Sequence, residues 1–274
     1  MKLGLSSYAY RWSIGFPGHE NPCSMSLVEF LEQAIHFGFD GVQICDNLPI
    51  YDLPVSKCKA IKNKLLEQEM FIETGGRGLE LSYIKKLFQT SYYLGAELVR
   101  VVAEIEDRRD ENAVRRKLDH IIQSLKTALP LAKDMGLKIA IENHATLNSS
   151  DILYIVQTVD DESLGVCIDT MNSILQAEHP TETARTLAFH ALTVHLKDFT
   201  IAKLPGHFQI EGVALGDGIV DFPQIISLLR KAGKYPTFHV ELYLNHAGHM
   251  ENLKDWEDEC VQRSFDYVRN RLHY

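Results

Sequence analysis

The sequence predicts an α/β protein folded as a single (β/α)8 barrel, a TIM barrel, spanning residues 1–274. Three observations predict it. Eight short β-type runs recur along the chain with helically spaced segments between them. Several of those segments end in a glycine turn that leads at once into the next run. No linker or break in composition divides the 274 residues. A doubly wound open sheet is the alternative, but no GxGxxG follows the first run, so a dinucleotide fold has no support.

The runs lie near residues 3–8, 41–45, 70–74, 98–103, 138–143, 165–169, 192–197 and 237–242. Among the helices the first is plainest: Leu27, Phe30, Leu31, Ala34 and Ile35 share one face. Ser26 and Glu29 suit a capping box and Gly38 suits the end. Similar stripes occur at Ile84, Leu87, Phe88 and Ser91, at Val114, Leu118, Ile121, Ile122 and Leu125, at Ile152, Ile155 and Val156, and at Phe222, Ile225, Ile226 and Leu229. Pro130 is expected to kink or split the long 110–135 segment.

A net charge of −9 argues against nucleic acid or an anionic membrane as partner, because such binding leans on basic patches. The one dense basic cluster, Arg108-Arg109 with Arg115-Arg116-Lys117, is interleaved with Asp107, Asp110, Glu111 and Asp119 and reads as a solvated, salt-bridged face. Cys23, Cys45, Cys58, Cys167 and Cys260 are scattered and contain no CxxC, so disulfide-framework and zinc-finger readings fail. The N-terminus enters directly into Leu3-Gly4-Leu5, without a charged-then-apolar leader, and no apolar run approaches membrane-spanning length. The expected location is the cytoplasm, and a homodimer is the expected form of any assembly.

Four runs end in a metal-binding residue: Ile139-Ala140-Ile141-Glu142, Val166-Cys167-Ile168-Asp169, Leu192-Thr193-Val194-His195 and Phe238-His239-Val240-Glu241. Glu142, Asp169, His195 and Glu241 stand 27, 26 and 46 residues apart. Intervals of roughly 30 residues suit single βα units, which places the four on strands five to eight with an insertion before the last. Carboxylates packed so closely repel, and a divalent cation compensates them. Three carboxylates and an imidazole suit one divalent ion, Mn²⁺ first, with Mg²⁺, Co²⁺ or Zn²⁺ as alternatives.

With these residues, Ile141-Glu142-Asn143-His144, Ile168-Asp169-Thr170-Met171-Asn172, Val194-His195-Leu196-Lys197-Asp198, Leu215-Gly216-Asp217-Gly218-Ile219-Val220-Asp221 and Val240-Glu241 resemble the sugar phosphate isomerase/epimerase family. This is the xylose-isomerase-like TIM-barrel superfamily, with tagatose/psicose 3-epimerases, hydroxypyruvate isomerases, inosose isomerases and dehydratases, and endonuclease IV enzymes. The ordered motifs run along the whole chain. The resemblance implies Glu142, Asp169, His195 and Glu241 as ligands of Mn²⁺ or another divalent ion, and Glu142 and Glu241 as the acid/base pair of the epimerase branch. Asn172 stands where that branch has a substrate-contacting histidine, a departure that weakens a free-ketohexose 3-epimerase assignment.

The chemistry supports this independently. A divalent ion chelated by a carbonyl and its neighbouring hydroxyl stabilises an enediolate, and a carboxylate on each face can move the α-proton. Around that centre His144, two residues after Glu142, is an acid/base or hydroxyl-binding candidate, and a rim histidine otherwise. Lys197 is a candidate to steady an oxyanion, or a partner of Asp198 or a neighbouring carboxylate. Glu104 faces the pocket or pairs with Arg108. Glu73 and Arg77 bracket Thr74-Gly75-Gly76, read as a flexible anion-binding loop. Tyr8, Tyr10 and Trp12 form an apolar wall or simply pack. Glycines 212, 216 and 218 lie where barrels often cradle phosphate, but Glu211, Asp217 and Asp221 make the loop acidic, which favours an unphosphorylated substrate; the loop is also a candidate lid. The leading expectation is a metal-dependent isomerase or epimerase of a small sugar or keto-sugar. A dehydratase of inosose or 3-dehydroshikimate type is the alternative, ahead of an endonuclease IV-like nuclease or a silent scaffold.

Overall fold

The computed structural model describes residues 1–245 and 252–272. Eight parallel strands close into a barrel: β1 (Leu3–Ser6), β2 (Gly41–Ile44), β3 (Phe71–Arg77), β4 (Leu98–Val102), β5 (Lys138–Glu142), β6 (Leu164–Asp169), β7 (Ala191–Leu196) and β8 (Thr237–Val240), with β8 pairing back onto β1. The main helices are α1 (Leu27–His36), α2 (Val55–Glu67), α3 (Leu81–Leu94), α4 (Glu111–Asp134), α5 (Ser149–Val159), α6 (Pro180–Leu187), α7 (Phe222–Lys231) and α8 (Leu253–Arg271). All eight predicted runs are strands. The predicted box caps α1, with Ser26 accepting from the Glu29 N–H and Glu29 from the Ser26 N–H, and Gly38 follows its end at φ +78°.

The apolar core lies between sheet and helices. Leu3, Leu5, Val42, Ile44, Val99, Val101, Ile139, Ile141, Val166, Ile168, Val194 and Val240 are fully buried there against the helical stripes. Alternate residues of the same strands fill the barrel interior, and this set is largely polar: Ser6, Gln43, Glu73, Arg100, Glu142, Asp169, Thr193, His195, His239 and Glu241 are all buried. The strands are thus apolar outward and chemical inward.

One sequence expectation is corrected and one is narrowed. Thr74-Gly75-Gly76 is not a loop: it continues β3 and pairs with Val99, Arg100 and Val101 of β4. Glycine is needed there for close approach, since a Cβ on Gly75 would lie 3.1 Å from Arg100 Nε and one on Gly76 would meet Tyr83 and Leu87. Pro130 neither splits nor ends α4. It and Lys126, whose carbonyl loses its partner, are both exposed, so water replaces the missing hydrogen bond.

The insertion before β8 is largely a β-hairpin, Asp198–Leu204 with His207–Val213, and the glycine-rich turn follows it. The backbone N–H groups of that turn are already occupied: Asp198 Oδ2 accepts from Gly216 and Gly218 at 2.9 and 3.0 Å, and Oδ1 from Phe199 and Val220 at 2.9 and 3.1 Å. The amides that would cradle a phosphate hold the chain's own carboxylate. The basic cluster behaves as expected, with Arg109 on Asp107, Arg115 on Asp119 and Arg116 on Asp110. The five cysteines are free, and among the described residues no helix is long and apolar enough to cross a membrane.

Candidate active site

At the C-terminal ends of the strands a cavity of about 460 Å³ is lined by Tyr8, Arg11, Phe16, Pro17, Arg77, Arg100, Glu142, His144, Asn172, Lys197, Glu241, Leu242 and Tyr243. At its floor the four sequence candidates converge. His195 Nδ1 lies 3.3 Å from Glu241 Oε2, 3.6 Å from Asp169 Oδ2 and 3.8 Å from Glu142 Oε2, all of these side chains being nearly or fully buried.

Glu142 and Asp169 are each held by the far oxygen, which leaves the near one for the centre, whereas Glu241 is held by its near one. Glu142 Oε1 accepts from Asn172 Nδ2 at 2.9 Å, and Asp169 Oδ1 from the Met171 and Asn172 N–H groups at 2.9 Å. Glu241 Oε2 accepts from Ser6 Oγ at 2.7 Å. His195 is fixed through Gln43. Glu73 can only accept, so Gln43 turns its amide nitrogen to it at 3.0 Å and its oxygen to His195 Nε2 at 2.7 Å. Nε2 therefore carries a proton, and Nδ1 faces the carboxylates.

Glu142 Oε2, Asp169 Oδ2 and His195 Nδ1 are buried and have no well-directed hydrogen bond among the described residues. Buried polar atoms left this way are rare, and two overlapping groups, Asp169 with His195 and Glu241, and Glu142 with Cys167 and His195, each bring donor atoms close enough to hold a divalent cation. The residues present fit such an ion.

Two buried cations also enter this centre: Lys197, a candidate from the sequence, and Arg100, which sequence reasoning did not place. Lys197 Nζ lies 2.7 Å from both Asp169 Oδ2 and Glu241 Oε1, and Arg100 Nε lies 3.1 Å from Glu142 Oε2. Compensation of the carboxylates is therefore shared by the chain's own cations. Burial pushes the Lys197 ammonium down, but Asp169, Glu241 and Glu142 outweigh it and hold its pKa above the ordinary value. Burial likewise raises the Glu241 carboxyl, yet His195 and Lys197 bring it down to about 2. Arg100 was visible as a charge inside the apolar run Leu98–Val102, which is itself a signal of an inward-facing partner. Lys197 pairs with these carboxylates; the Asp198 alternative fails because Asp198 is spent on the glycine turn.

At the rim His144 Nδ1 lies 3.1 Å from Glu104 Oε1, and Arg77 Nη1 donates to the same atom at 2.7 Å. Glu104 pairs with Arg77 and His144, not Arg108, which reaches Asp151 instead. Glu104 does not line this cavity itself but holds two residues that do, Arg77 and His144. Glu73 is corrected too: it lies deep in the barrel, bonded to Gln43, Thr193, Thr237 and His239. Of the aromatic wall only Tyr8 lines the cavity, donating to Asp46 Oδ2 at 3.1 Å; Tyr10 is buried with its hydroxyl on Asp258, and Trp12 packs behind Arg11.

The turn Arg11–Ile14 that borders the cavity is anchored from α8: Glu257, fully buried, accepts from the Trp12 and Ser13 N–H groups at 2.8 and 3.0 Å. Burial pushes its carboxyl up to about 7 from an ordinary 4.5. The folded state then binds this proton more tightly than the unfolded one. Stability is full below pH ~4.5 and falls by at most about 3 kcal/mol as pH rises to ~7. Urea titrations from pH 4.5 to 8 should show this slope in the native protein and its loss in Glu257→Gln; equal slopes would refute it.

The comparisons follow the same geometry. A curated relative, 3-oxo-isoapionate decarboxylase of Pectobacterium atrosepticum, is 24% identical over 276 residues, covering 100% of this chain and 97% of its own. Among solved structures, D-psicose 3-epimerase with D-tagatose from Clostridium cellulolyticum H10 superposes with a TM-score of 0.78 at 13% identity, over 100% of both chains. IolI protein with a bound zinc atom gives 0.74 at 19% identity, over 98% of this chain and 97% of its own. The family model described as xylose isomerase-like TIM barrel matches residues 31–260. A closed eight-stranded barrel, an acidic and histidine-bearing floor on β5 to β8 and that match agree: the chain belongs to the xylose isomerase-like TIM barrel family.

Proposed function

We propose that the protein is a divalent-metal-dependent isomerase or epimerase of a small sugar or keto-sugar, with Glu142, Asp169, His195 and Glu241 as ligands and Mn²⁺ as the ion. The observation that carries this reading is the convergence of Glu142 Oε2, Asp169 Oδ2 and Glu241 Oε2 on His195 Nδ1 at the cavity floor. When bound, the ion acts as a Lewis acid on a carbonyl and its adjacent hydroxyl.

The chain's own groups do the rest. Glu142 and Glu241, at the ends of β5 and β8, flank the Asp169–His195 pair and both line the cavity. One removes the proton from the carbon beside the carbonyl, and the electron pair moves into the enediolate. The other returns a proton to the same or the neighbouring carbon. Lys197, held protonated, neutralises the charge that develops on oxygen. Asn172 and Ser6 orient the two glutamates, and His144 with Arg77 receives substrate hydroxyls at the rim.

One observation favours a second reading, a decarboxylating lyase. Both glutamates are matched by buried cations, Arg100 and Lys197, which weakens them as carbon bases. Loss of carbon dioxide from a β-keto acid needs no proton removed from carbon, and loss of a β-hydroxyl needs one; the decarboxylase relative agrees with this class. Incubating the Mn²⁺-loaded protein with ketoses, inososes and 3-keto sugars in D₂O separates the readings. Isomerisation or epimerisation incorporates deuterium at an α-carbon without loss of atoms from the skeleton, dehydration yields an absorbing enone, and decarboxylation releases CO₂. No metal-dependent change in any of them would sink both.

A further inference from the structure

The cations that line the cavity are not alike. Arg77 is paired with Glu104 and Asp46, Arg100 with Glu142 and Asp46, and Lys197 with Asp169 and Glu241. Arg11 has no such contact, and the Glu257 carboxylate acts on it only at longer range. Among the described residues no hydrogen bond or ion pair reaches its side chain, and its Nε is buried without an acceptor. The residue is only 8% exposed, so its donors are largely withdrawn from water as well.

What Arg11 does have is an aromatic clamp. Its guanidinium carbon lies 4.0 Å from the Tyr243 ring centre, 4.2 Å from that of Phe16 and 5.1 Å from that of Trp12. The turn carrying it is pinned by Glu257, and the Trp12 indole donates to the Leu244 carbonyl at 2.8 Å. Stacking satisfies the faces of a guanidinium and leaves its N–H edge, the edge that a carboxylate grips with two parallel hydrogen bonds. A buried guanidinium with unspent donors is costly unless an anion completes it.

We propose that Arg11 binds a carboxylate of the substrate, which makes the substrate a hydroxy-keto acid and Arg11 the residue that selects it over a neutral ketose. This rests on the proposed function, in which the hydroxy-ketone end occupies the metal centre. Charge balance agrees. With a divalent ion bound, the ion, Lys197 and Arg100 balance Glu142, Asp169, Glu241 and Asp46, and Arg11 adds one positive charge. A phosphate ester is disfavoured because Asp198 occupies the amides of the glycine turn.

The test uses the Mn²⁺-loaded full chain and three sugars that differ only at one end: D-fructose, D-fructuronate and D-fructose 6-phosphate. Calorimetric titration should show D-fructuronate bound at least tenfold tighter than D-fructose and tighter than the phosphate. Arg11→Met, with its Mn²⁺ content verified, should shrink that preference to within about twofold, and Arg11→Lys should retain an intermediate part of it. Equal affinities in the native protein, tightest binding of the phosphate, or a preference that survives in Arg11→Met would each overturn the role of Arg11. If D-fructose binds in a Mn²⁺-dependent way without that preference, the metal reading stands and this one fails. If none of the three binds to stoichiometrically loaded protein, both fail.

Discussion

Replacing Glu142 or Glu241 by glutamine is expected to lower kcat by at least about three orders of magnitude under the isomerase reading, because each change removes a ligand charge and a proton carrier together. Glutamine keeps the shape of the side chain, so packing is not the cause. What changes is that Arg100, 3.1 Å from Glu142, or Lys197, 2.7 Å from Glu241, loses its counter-charge in a buried site. The two contributions can be separated. Elemental analysis of each variant reads ligation, and kcat at saturating Mn²⁺ reads proton transfer. A variant that holds its Mn²⁺ but has lost turnover places that glutamate in the chemistry; one with near-normal kcat is removed from the mechanism. Deuterium incorporation adds a directional check, since loss of a single base should block exchange on one face of the α-carbon before the other.

The barrel was legible because two periods coexist in this chain. Outward strand positions such as Val99, Val101, Ile139 and Ile141 are apolar, and the helices between them carry stripes such as Ile84, Leu87 and Phe88. The floor residues were legible for a related reason: Glu142, Asp169, His195 and Glu241 each lie within one residue of a strand's C-terminal end, where chain direction alone sends them to one end of the barrel. Residues that act by crossing the interior left weaker marks. Gln43 reaches His195 across 152 positions, and Ser6 reaches Glu241 across 235, contacts that no local pattern encodes. Arg11 was hidden differently, since its importance lies in partners it lacks. The glycines of β3 misled because glycine marks a bend and a close approach equally well, and only the path of the Arg100 side chain decides between them.

The largest expected effect on stability falls below the site, at Glu73. This carboxylate is 4% exposed and takes hydrogen bonds from Gln43 Nε2 at 3.0 Å, Thr193 Oγ1 at 3.0 Å, His239 Nε2 at 2.9 Å and the Thr237 hydroxyl, which joins β2, β3, β7 and β8 across the interior. Burial alone would raise its pKa; His239 and the other donors prevail and hold it below the ordinary value. Glu73→Gln leaves one acceptor oxygen where two stood and turns an N–H₂ group towards donors. Breaking a buried network of this kind is expected to cost about 3–5 kcal/mol, read as a lower urea midpoint at unchanged m-value. The damage should also travel upward. Gln43 would no longer be held with its nitrogen towards position 73, so its oxygen would be free to leave His195 Nε2, and the imidazole would lose the contact that aims Nδ1 at the carboxylates. Loss of such outer contacts typically weakens metal binding about 10- to 100-fold, so Mn²⁺ titration of Glu73→Gln should show a shift of that size although residue 73 is no ligand. A destabilised variant with unaltered Mn²⁺ affinity would mean that the interior network supports the barrel alone and that His195 is positioned by the carboxylates around it.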